Sequence, residues 1–158
     1  MRYQKNDGGR SIYFNGQNAD DCVIRSISIA LSQDYLETFN DLFDLARSMG
    51  YLPNSQKVFE KYLKTKGWVK NKTLYKPDSR RRYEINEWRL LSGDRALPHR
   101  CLIKTSGHLT AVVDGVLRDS WDCSEWCAGV YYTPSQQWYE NQKQKRKIIL
   151  STRKKEAA

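Results

Sequence analysis

The first half of the chain carries hydrophobic residues at helical spacing. Residues 20–32 place apolar side chains along one face of a helix, and an aspartate at the start of this segment is a suitable N-cap. Alternating apolar residues near its end leave a β-strand as the alternative interpretation there. Residues 34–49 keep helical spacing for four turns. A third helix is predicted to begin after Pro53 and to end at Gly67.

After residue 100 the pattern becomes that of β-strands. Residues 101–105 and 109–113 are rich in β-branched and apolar side chains, and residues 116–121 continue the pattern. Asp114-Gly115 separates the last two runs, and Asp-Gly between two β-rich runs is a strong hairpin signal. Another strand is predicted at residues 130–132. Helices followed by an antiparallel sheet predict an α+β fold.

The length of 158 residues suits one domain, which we place at residues 1–140, with a short helix near residues 84–91. The net charge is +9, but residues 141–158 hold seven basic side chains and one acidic side chain. This segment is predicted to be a basic C-terminal tail. It is suited to contact nucleic acid or anionic lipid, or it is a solvated terminus that aids solubility.

The composition excludes several classes of protein. With 39% hydrophobic and 28% charged residues, the chain is neither collagen-like nor wholly disordered. No apolar run reaches the roughly 18 residues that a membrane-spanning helix needs, so no membrane contact is expected. Residues 1–10 are polar, so a secretory signal is not predicted and a cytoplasmic location is expected. The four cysteines are then expected to be reduced thiols.

No metal or organic cofactor is expected. Cys123 and Cys127 are separated by three residues, which is not the usual spacing of a zinc knuckle. A zinc site would need two further ligands, and the available side chains are those of Cys101, His99 and His108.

The Asp-Gly turn determines which side chains share one face of the hairpin. A two-residue turn sets His108 opposite Trp121 and makes Asp119 its diagonal neighbour. His108, Thr110, Asp119 and Trp121 are therefore expected on one side of the sheet, and Asp122 on the other. Asp119 is the predicted carboxylate that orients the His108 imidazole. A β-bulge near Trp121 would exchange the two aspartates.

Cys22 is the candidate nucleophile. It lies in the first turn of the first predicted helix, where the helix dipole and free N–H groups favour a thiolate. An imidazole nearby would lower the pKa of the thiol further. Gln17 can donate a side-chain N–H to an oxyanion formed there. The alternative is a core residue, since Cys is often buried. His99, which follows a proline in a predicted loop, has no acidic partner.

The order of these residues resembles that of papain-like cysteine peptidases. Gln17 and Cys22 at a helix start, His108 on a distant strand and Asp119 on the next look closest to the compact branch that includes the peptidase domains of bacteriocin-exporting transporters. The stretch SGHLTAVVDGVLRDSWD is also similar to one in small phage and prophage proteins.

The resemblance covers two segments, residues 15–32 and 106–122. Papain-like enzymes usually place the Gln six residues before the Cys and not five, so Asn18 is the alternative to Gln17. The residues at 23–25 are Val-Ile-Arg, where the family often has small and aromatic side chains. This difference bears on the substrate more than on the three catalytic residues.

The resemblance implies a papain-like fold and a thiol-dependent hydrolase. In such an enzyme Cys22 attacks an acyl carbon, His108 accepts and returns a proton, and Asp119 orients His108. Gln17 and the Cys22 backbone N–H would hold the oxyanion. The implied substrate is a protein or peptide cleaved at a peptide, isopeptide or amide bond, in the host cytoplasm if the protein is phage-encoded.

A second hypothesis is a non-catalytic binding protein with the same fold. It would engage nucleic acid or a host protein through residues 141–158 and through Trp68–Tyr83, where aromatic and basic side chains alternate. Most such aromatic residues serve as core or interface residues in proteins.

Overall fold

The computed structural model describes residues 1–16 and 20–157, apart from the side chains of residues 154–156. Within these residues the chain forms an α+β fold with five α-helices, two short 3-10 helices and a six-stranded sheet. The helices are α1 (Cys22–Leu31), α2 (Tyr35–Met49), α3 (Gln56–Thr65), α4 (Ile85–Trp88) and α5 (Gln136–Glu156). The strands are β1 (Tyr3–Lys5), β2 (Trp68–Asn71), β3 (Arg100–Lys104), β4 (Leu109–Val113), β5 (Val116–Asp119) and β6 (Tyr131–Pro134).

The first three helices follow the hydrophobic pattern. The whole of residues 22–31 is helical, so the strand alternative for this segment is wrong. At the start of α2 the Asp34 carboxylate accepts a hydrogen bond from the backbone N–H of Glu37. Gly50 ends α2 with φ of 71°, a left-handed conformation that favours glycine. Local capping and one apolar face therefore account for these helices.

The hairpin register predicted from the Asp-Gly turn is confirmed. Asp114 and Gly115 both have positive φ, and Ala111 of β4 lies opposite Arg118 of β5. The strand order is β1-β5-β4-β3-β6-β2. The sheet is mixed and not fully antiparallel as expected, because β1 pairs in parallel with β5. A polar strand of three residues leaves no hydrophobic pattern from which this pairing could be predicted.

Apolar side chains cover both faces of the sheet. Helices α1, α2 and α3 pack on one face, against Leu102, Leu109 and Ala111. Ile85 and Trp88 of α4 belong to a second cluster with Cys101, Ile103, Val112 and Leu117. Burying a large aliphatic or aromatic side chain stabilises a fold by roughly 1.5–3 kcal/mol. The two cores thus hold β4 and β5 rigidly, and these strands carry the candidate site.

Helix α5 begins inside the predicted domain and continues through the predicted tail. The Ser135 hydroxyl accepts a hydrogen bond from the backbone N–H of Trp138, and the Trp138 ring packs edge-on against Trp68. From residue 143 to residue 153 every side chain is exposed. The basic segment is thus helical at residues 141–156, and the helix crosses the expected boundary at residue 140.

No helix in the described part of the chain is both long enough and apolar enough to cross a membrane.

Candidate active site

Cys22 is the first residue of α1 and faces the start of β4. Ser26, one turn further along the helix, donates a hydrogen bond from its hydroxyl to the backbone oxygen of Leu109 at 2.6 Å. Residues four apart share a helix face, so Cys22 and Ser26 lie on the same side of α1. Cys22 is partly exposed, and the nearby backbone N–H of Leu109 helps to lower the pKa of its thiol. The sulfur is thus accessible at a helix N-terminus.

His108 is held by the tight turn between β3 and β4. Its backbone oxygen accepts from the Thr105 N–H at 2.9 Å, and Gly107 has φ of 79°, where glycine is favoured. The imidazole Nε2 lies 2.7 Å from Oδ2 of Asp119. This bond occupies Nε2, and the Cys22 thiol lies close enough to the imidazole to raise its pKa. The structure therefore brings Cys22, His108 and Asp119 together.

Cys22, His108 and Asp119 shift one another's pKa values toward the charged form of each group. Burial is the largest single effect and disfavours the thiolate, but His108, the Leu109 backbone N–H and the Arg25 charge together outweigh it and lower the pKa of Cys22. Burial also disfavours the imidazolium, yet the bonds to Asp119, Cys123 and Cys22 raise the pKa of His108 to about 11. The pKa of Asp119 is lowered despite burial, because His108 donates to it. Near neutral pH the imidazolium and the carboxylate are thus favoured, and the thiol is shifted toward its thiolate.

The Asp119 carboxylate is held by several donors besides His108. Its Oδ1 accepts from the Ser120 backbone N–H at 2.7 Å, and its Oδ2 lies 3.9 Å from the Cys123 sulfur. The Arg25 guanidinium approaches Oδ1 at 3.6 Å. Asp119 is only 1% exposed, so these contacts offset the cost of burying its charge.

Arg25 also joins this carboxylate to the start of α1. It pairs with Asp21, the N-cap residue next to Cys22, and Asp21 accepts from the Tyr35 hydroxyl at 2.7 Å. Arg10 approaches Asp21 at 3.3 Å. The Asp21 charge, which would oppose a thiolate at Cys22, is thus neutralised by two arginines.

Two tryptophans flank the imidazole. The Trp121 ring centroid lies 5.2 Å from that of His108, and Trp126 lies 6.4 Å from it. The two indoles also contact each other in an edge-on arrangement at 5.0 Å. They are 38% and 42% exposed, so they form an apolar rim over a charged pair.

His108, Asp119 and Cys123 are also a set of potential metal ligands. Their ligand atoms lie within 4.8 Å of one another. Because Nε2 and Oδ2 are bonded to each other, a metal ion could use this set only by replacing the bond that orients His108. Cys127 is exposed and lies beside Glu84, so the two cysteines of the C-x-x-x-C spacing do not share this cluster.

The remaining predicted residues fall outside the cluster. Gln17 and its alternative Asn18 lie outside the described residues. Asp122 is exposed, and its carboxylate accepts from the Ser124 backbone N–H; it lies beyond the end of β5, so the ladder expected to place it on the opposite face does not extend to it. His99 is exposed, and its backbone oxygen accepts from Gly115.

Sequence reasoning missed three contributors to the site. Arg25 has no predicted role in the site, although an arginine on the apolar face of a helix indicates a buried ion pair. Cys123 was weighed only as a metal ligand. Trp126 comes close to His108 through an irregular loop that no pattern predicts.

No protein-family model matches the chain, and no curated protein or solved structure matches it significantly.

Proposed function

We propose that the protein is a thiol-dependent acyl-transfer enzyme of the papain-like type, acting as a hydrolase. One observation carries the proposal: a helix-start thiol lies beside an imidazole that is hydrogen-bonded to a buried carboxylate, and the thiol and the imidazole shift each other's pKa. A structural cysteine would need neither the imidazole nor the carboxylate. A nucleophile needs both, the first to hold its proton and the second to orient the imidazole.

The pKa directions favour a reaction in which the proton is already on His108. The Cys22 thiolate attacks a carbonyl carbon, and the carbonyl electron pair moves to oxygen. The Cys22 backbone N–H, at the positive end of α1, donates to that oxyanion, and Gln17 is the proposed second donor. His108 then gives its proton to the leaving nitrogen as the C–N bond breaks, which leaves a thioester.

Water completes the cycle. His108, now neutral, accepts a proton from the attacking water, and the thiolate leaves as the acid product forms. The same intermediate serves hydrolysis of a peptide or isopeptide bond, deamidation of an amide or transfer to another amine. A protein or peptide substrate fits the surface position of a partly exposed sulfur beside two exposed indoles.

Alkylation across pH tests the activated thiol. Full-length protein is treated with iodoacetamide between pH 4 and 9, and Cys22 modification is followed by peptide mass spectrometry. Because the pKa of Cys22 is lowered, its rate should stay high at pH values where an ordinary thiol is mostly protonated. His108→Gln should restore the ordinary profile. Exposed Cys127 is the internal control, because its alkylation rate at each pH should be the same in wild-type protein and in His108→Gln. Identical Cys22 profiles would sink the proposal.

Acyl transfer itself needs a separate measurement. A p-nitrophenyl ester is a general acyl donor: the thiolate takes the acyl group and p-nitrophenolate leaves. Wild-type protein should release a burst of p-nitrophenolate and gain one acyl mass at Cys22. Cys22→Ser and His108→Gln should lose the burst. A burst of equal size in Cys22→Ser would assign the reaction to another residue.

A second candidate function is nucleic-acid binding along α5. The exposed side chains from 143 to 153 include five basic residues and no acidic residue. A gel shift with duplex DNA at 50 and 200 mM salt, with and without residues 141–158, tests it. Binding that weakens steeply with salt and needs these residues supports it; no binding at low salt removes it.

A further inference from the structure

A second cluster of basic side chains surrounds a cavity that has no place in the proposed catalysis. The cavity has a volume of about 390 Å³. Its lining includes Tyr75, Lys76, Arg80, Arg81, Arg82 and Cys127. None of Cys22, His108 and Asp119 lines it. Cavities of this size hold small organic ligands in many proteins.

The wall that carries the arginines is a defined hairpin and not a loose loop. Tyr75 and Arg82 form a bridge between antiparallel segments, and the Lys76 N–H donates to the Arg81 backbone oxygen at 2.9 Å. Arg95 fastens the hairpin to the body, since its guanidinium donates to the Tyr75 backbone oxygen at 2.8 Å and to the Tyr83 hydroxyl at 3.3 Å. A wall built in this way positions its side chains before any ligand binds.

The charges of this wall are unbalanced. Lys76 is paired with Glu87 at 2.6 Å. The Glu84 carboxylate, which also lines the cavity, accepts from a backbone N–H at the start of α4. Arg80, Arg81 and Arg82 form no ion pair within residues 1–16 and 20–157. Three arginines line one cavity, and a bound anion would reduce the repulsion between their like charges.

We infer that this cavity binds a phosphate-bearing ligand of nucleotide size. Guanidinium groups present paired N–H donors that match phosphate oxygens, and a di- or triphosphate supplies enough negative charge for three of them. The Tyr75 side chain is 53% exposed at the same cavity and offers a ring face for a base. The inference does not depend on the proposed catalysis, because no residue of the candidate active site takes part.

Cys127 supplies a local reporter of occupancy, because its exposed thiol lines the cavity. Full-length protein carrying Cys22→Ala is alkylated with N-ethylmaleimide in 50 mM salt, and Cys127 modification is followed by peptide mass spectrometry. The probes are adenosine 5′-diphosphate, inorganic phosphate and adenosine. Adenosine 5′-diphosphate should slow modification of Cys127 several-fold in a saturable manner, phosphate should do so only at higher concentration, and adenosine should not.

A pair of charge-matched variants locates the effect. R80Q/R81Q/R82Q should weaken protection by adenosine 5′-diphosphate at least about tenfold, since several charge-assisted hydrogen bonds are lost. K143Q/K145Q/K147Q removes the same charge from exposed positions of α5. This variant should change the protection by adenosine 5′-diphosphate less than about twofold. Arg81→Gln alone provides a milder variant should the triple variant unfold.

Four results would overturn parts of the inference. Protection by adenosine alone would refute the phosphate assignment. Equal protection by phosphate and by adenosine 5′-diphosphate would refute the role of Tyr75. Equal losses in the two triple variants would reduce the effect to net charge. Absence of protection by every probe would refute the site. The test is made without Cys22, so none of these results bears on the proposed hydrolase.

Discussion

Asp119 is a buried carboxylate that is hydrogen-bonded to one imidazole, that of His108. The two-residue turn between β4 and β5 sets the register of β5 and thereby the position of Asp119. We expect Asp119→Asn to lower the rate of Cys22 acylation by the p-nitrophenyl ester by orders of magnitude, because a neutral amide no longer orients or stabilises the imidazolium. The measurement is the burst rate at pH 7.

Asp122→Asn is the matched control for this change. Asp122 is three residues away, is exposed, and accepts only a local backbone N–H. Its variant should keep most of the rate. A larger loss in Asp122→Asn than in Asp119→Asn would mean that the wrong carboxylate has been assigned to His108.

Among single residues, the sequence predicted the positions of those side chains that the regular pairing of two strands determines. The pairing of β4 and β5 placed Asp119 and Trp121 beside His108, and both lie there. Cys123 and Trp126 belong to a loop after β5, whose path depends on packing and not on period, so their positions could not be predicted. Whether the three central residues catalyse remains a prediction.

Helix α1 and strand β5 are joined by one buried side chain. Arg25 pairs with Asp21 at the helix start and with Asp119 at the strand end. Arg25→Gln leaves two buried carboxylates with less compensation, and breaking a buried ion pair in this way typically costs about 3–5 kcal/mol. Urea unfolding of the full chain measures this cost as a lower midpoint with an unchanged slope.

Arg47→Gln controls for the loss of an arginine from a helix. Arg47 forms an ion pair with Asp44, but both side chains are largely exposed. Its free energy of unfolding should change by less than about 1 kcal/mol. Similar costs for the two variants would indicate that Arg25 contributes as a surface charge and does not hold the two elements together.

The first turn of α5 depends on Ser135. Its hydroxyl accepts from the Trp138 N–H, so Ser135→Ala should lower the free energy of unfolding by about 1 kcal/mol. Ser55 is a control at an equivalent place, because it precedes α3 without a side-chain capping bond. Ser55→Ala should therefore cost less in the same urea titration. The opposite order would contradict the capping assignment.

The elements themselves were predictable where one face is apolar. Helices α1–α3 repeat hydrophobic residues at helical spacing, and strands β3–β5, which are covered on both faces, are short runs rich in apolar and β-branched residues. Beyond Trp138, helix α5 has no continuous apolar face. Its sequence therefore lacks the hydrophobic repeat that indicates a packed helix, and it predicts a tail instead. Strand β2 begins with buried Trp68, in a segment weighed for nucleic-acid binding.

For the whole molecule, the pair of His108 and Asp119 links stability to pH. The pKa of His108 is raised from 6.5 to about 11, so its stabilisation is complete below pH 6.5 and is lost as pH rises toward 11. The pKa of Asp119 is lowered, so its contribution is complete above its ordinary value of 3.8 and is lost as pH falls below it. The combined stabilisation is therefore greatest between pH 3.8 and pH 6.5.

Urea unfolding at pH 6 and pH 10 measures this dependence. Cys22→Ala serves as the parent so that its thiol does not titrate, and it is compared with Cys22→Ala/His108→Gln. The difference in free energy of unfolding should be smaller at pH 10 than at pH 6, because at pH 10 the parent must take up a proton at His108 when it folds, whereas the glutamine variant binds no proton there. A difference that stays constant or grows with pH would show that His108 is not held in its charged form.

The parallel pairing of β1 with β5 has a consequence for folding and biosynthesis. Tyr3 lies beside Leu117, so the N-terminal strand closes a chain segment of more than one hundred residues. Contacts so distant in sequence carry a large loop-closure entropy and slow folding. During synthesis β1 would remain unpaired until β5, more than one hundred residues later in the chain, has been made. The Asn6 N–H also donates to the Asp119 backbone oxygen, so the carboxylate-bearing strand end is completed by the same late event. The nascent Cys22 thiol would thus remain without its oriented imidazole until residues 108–119 have been made.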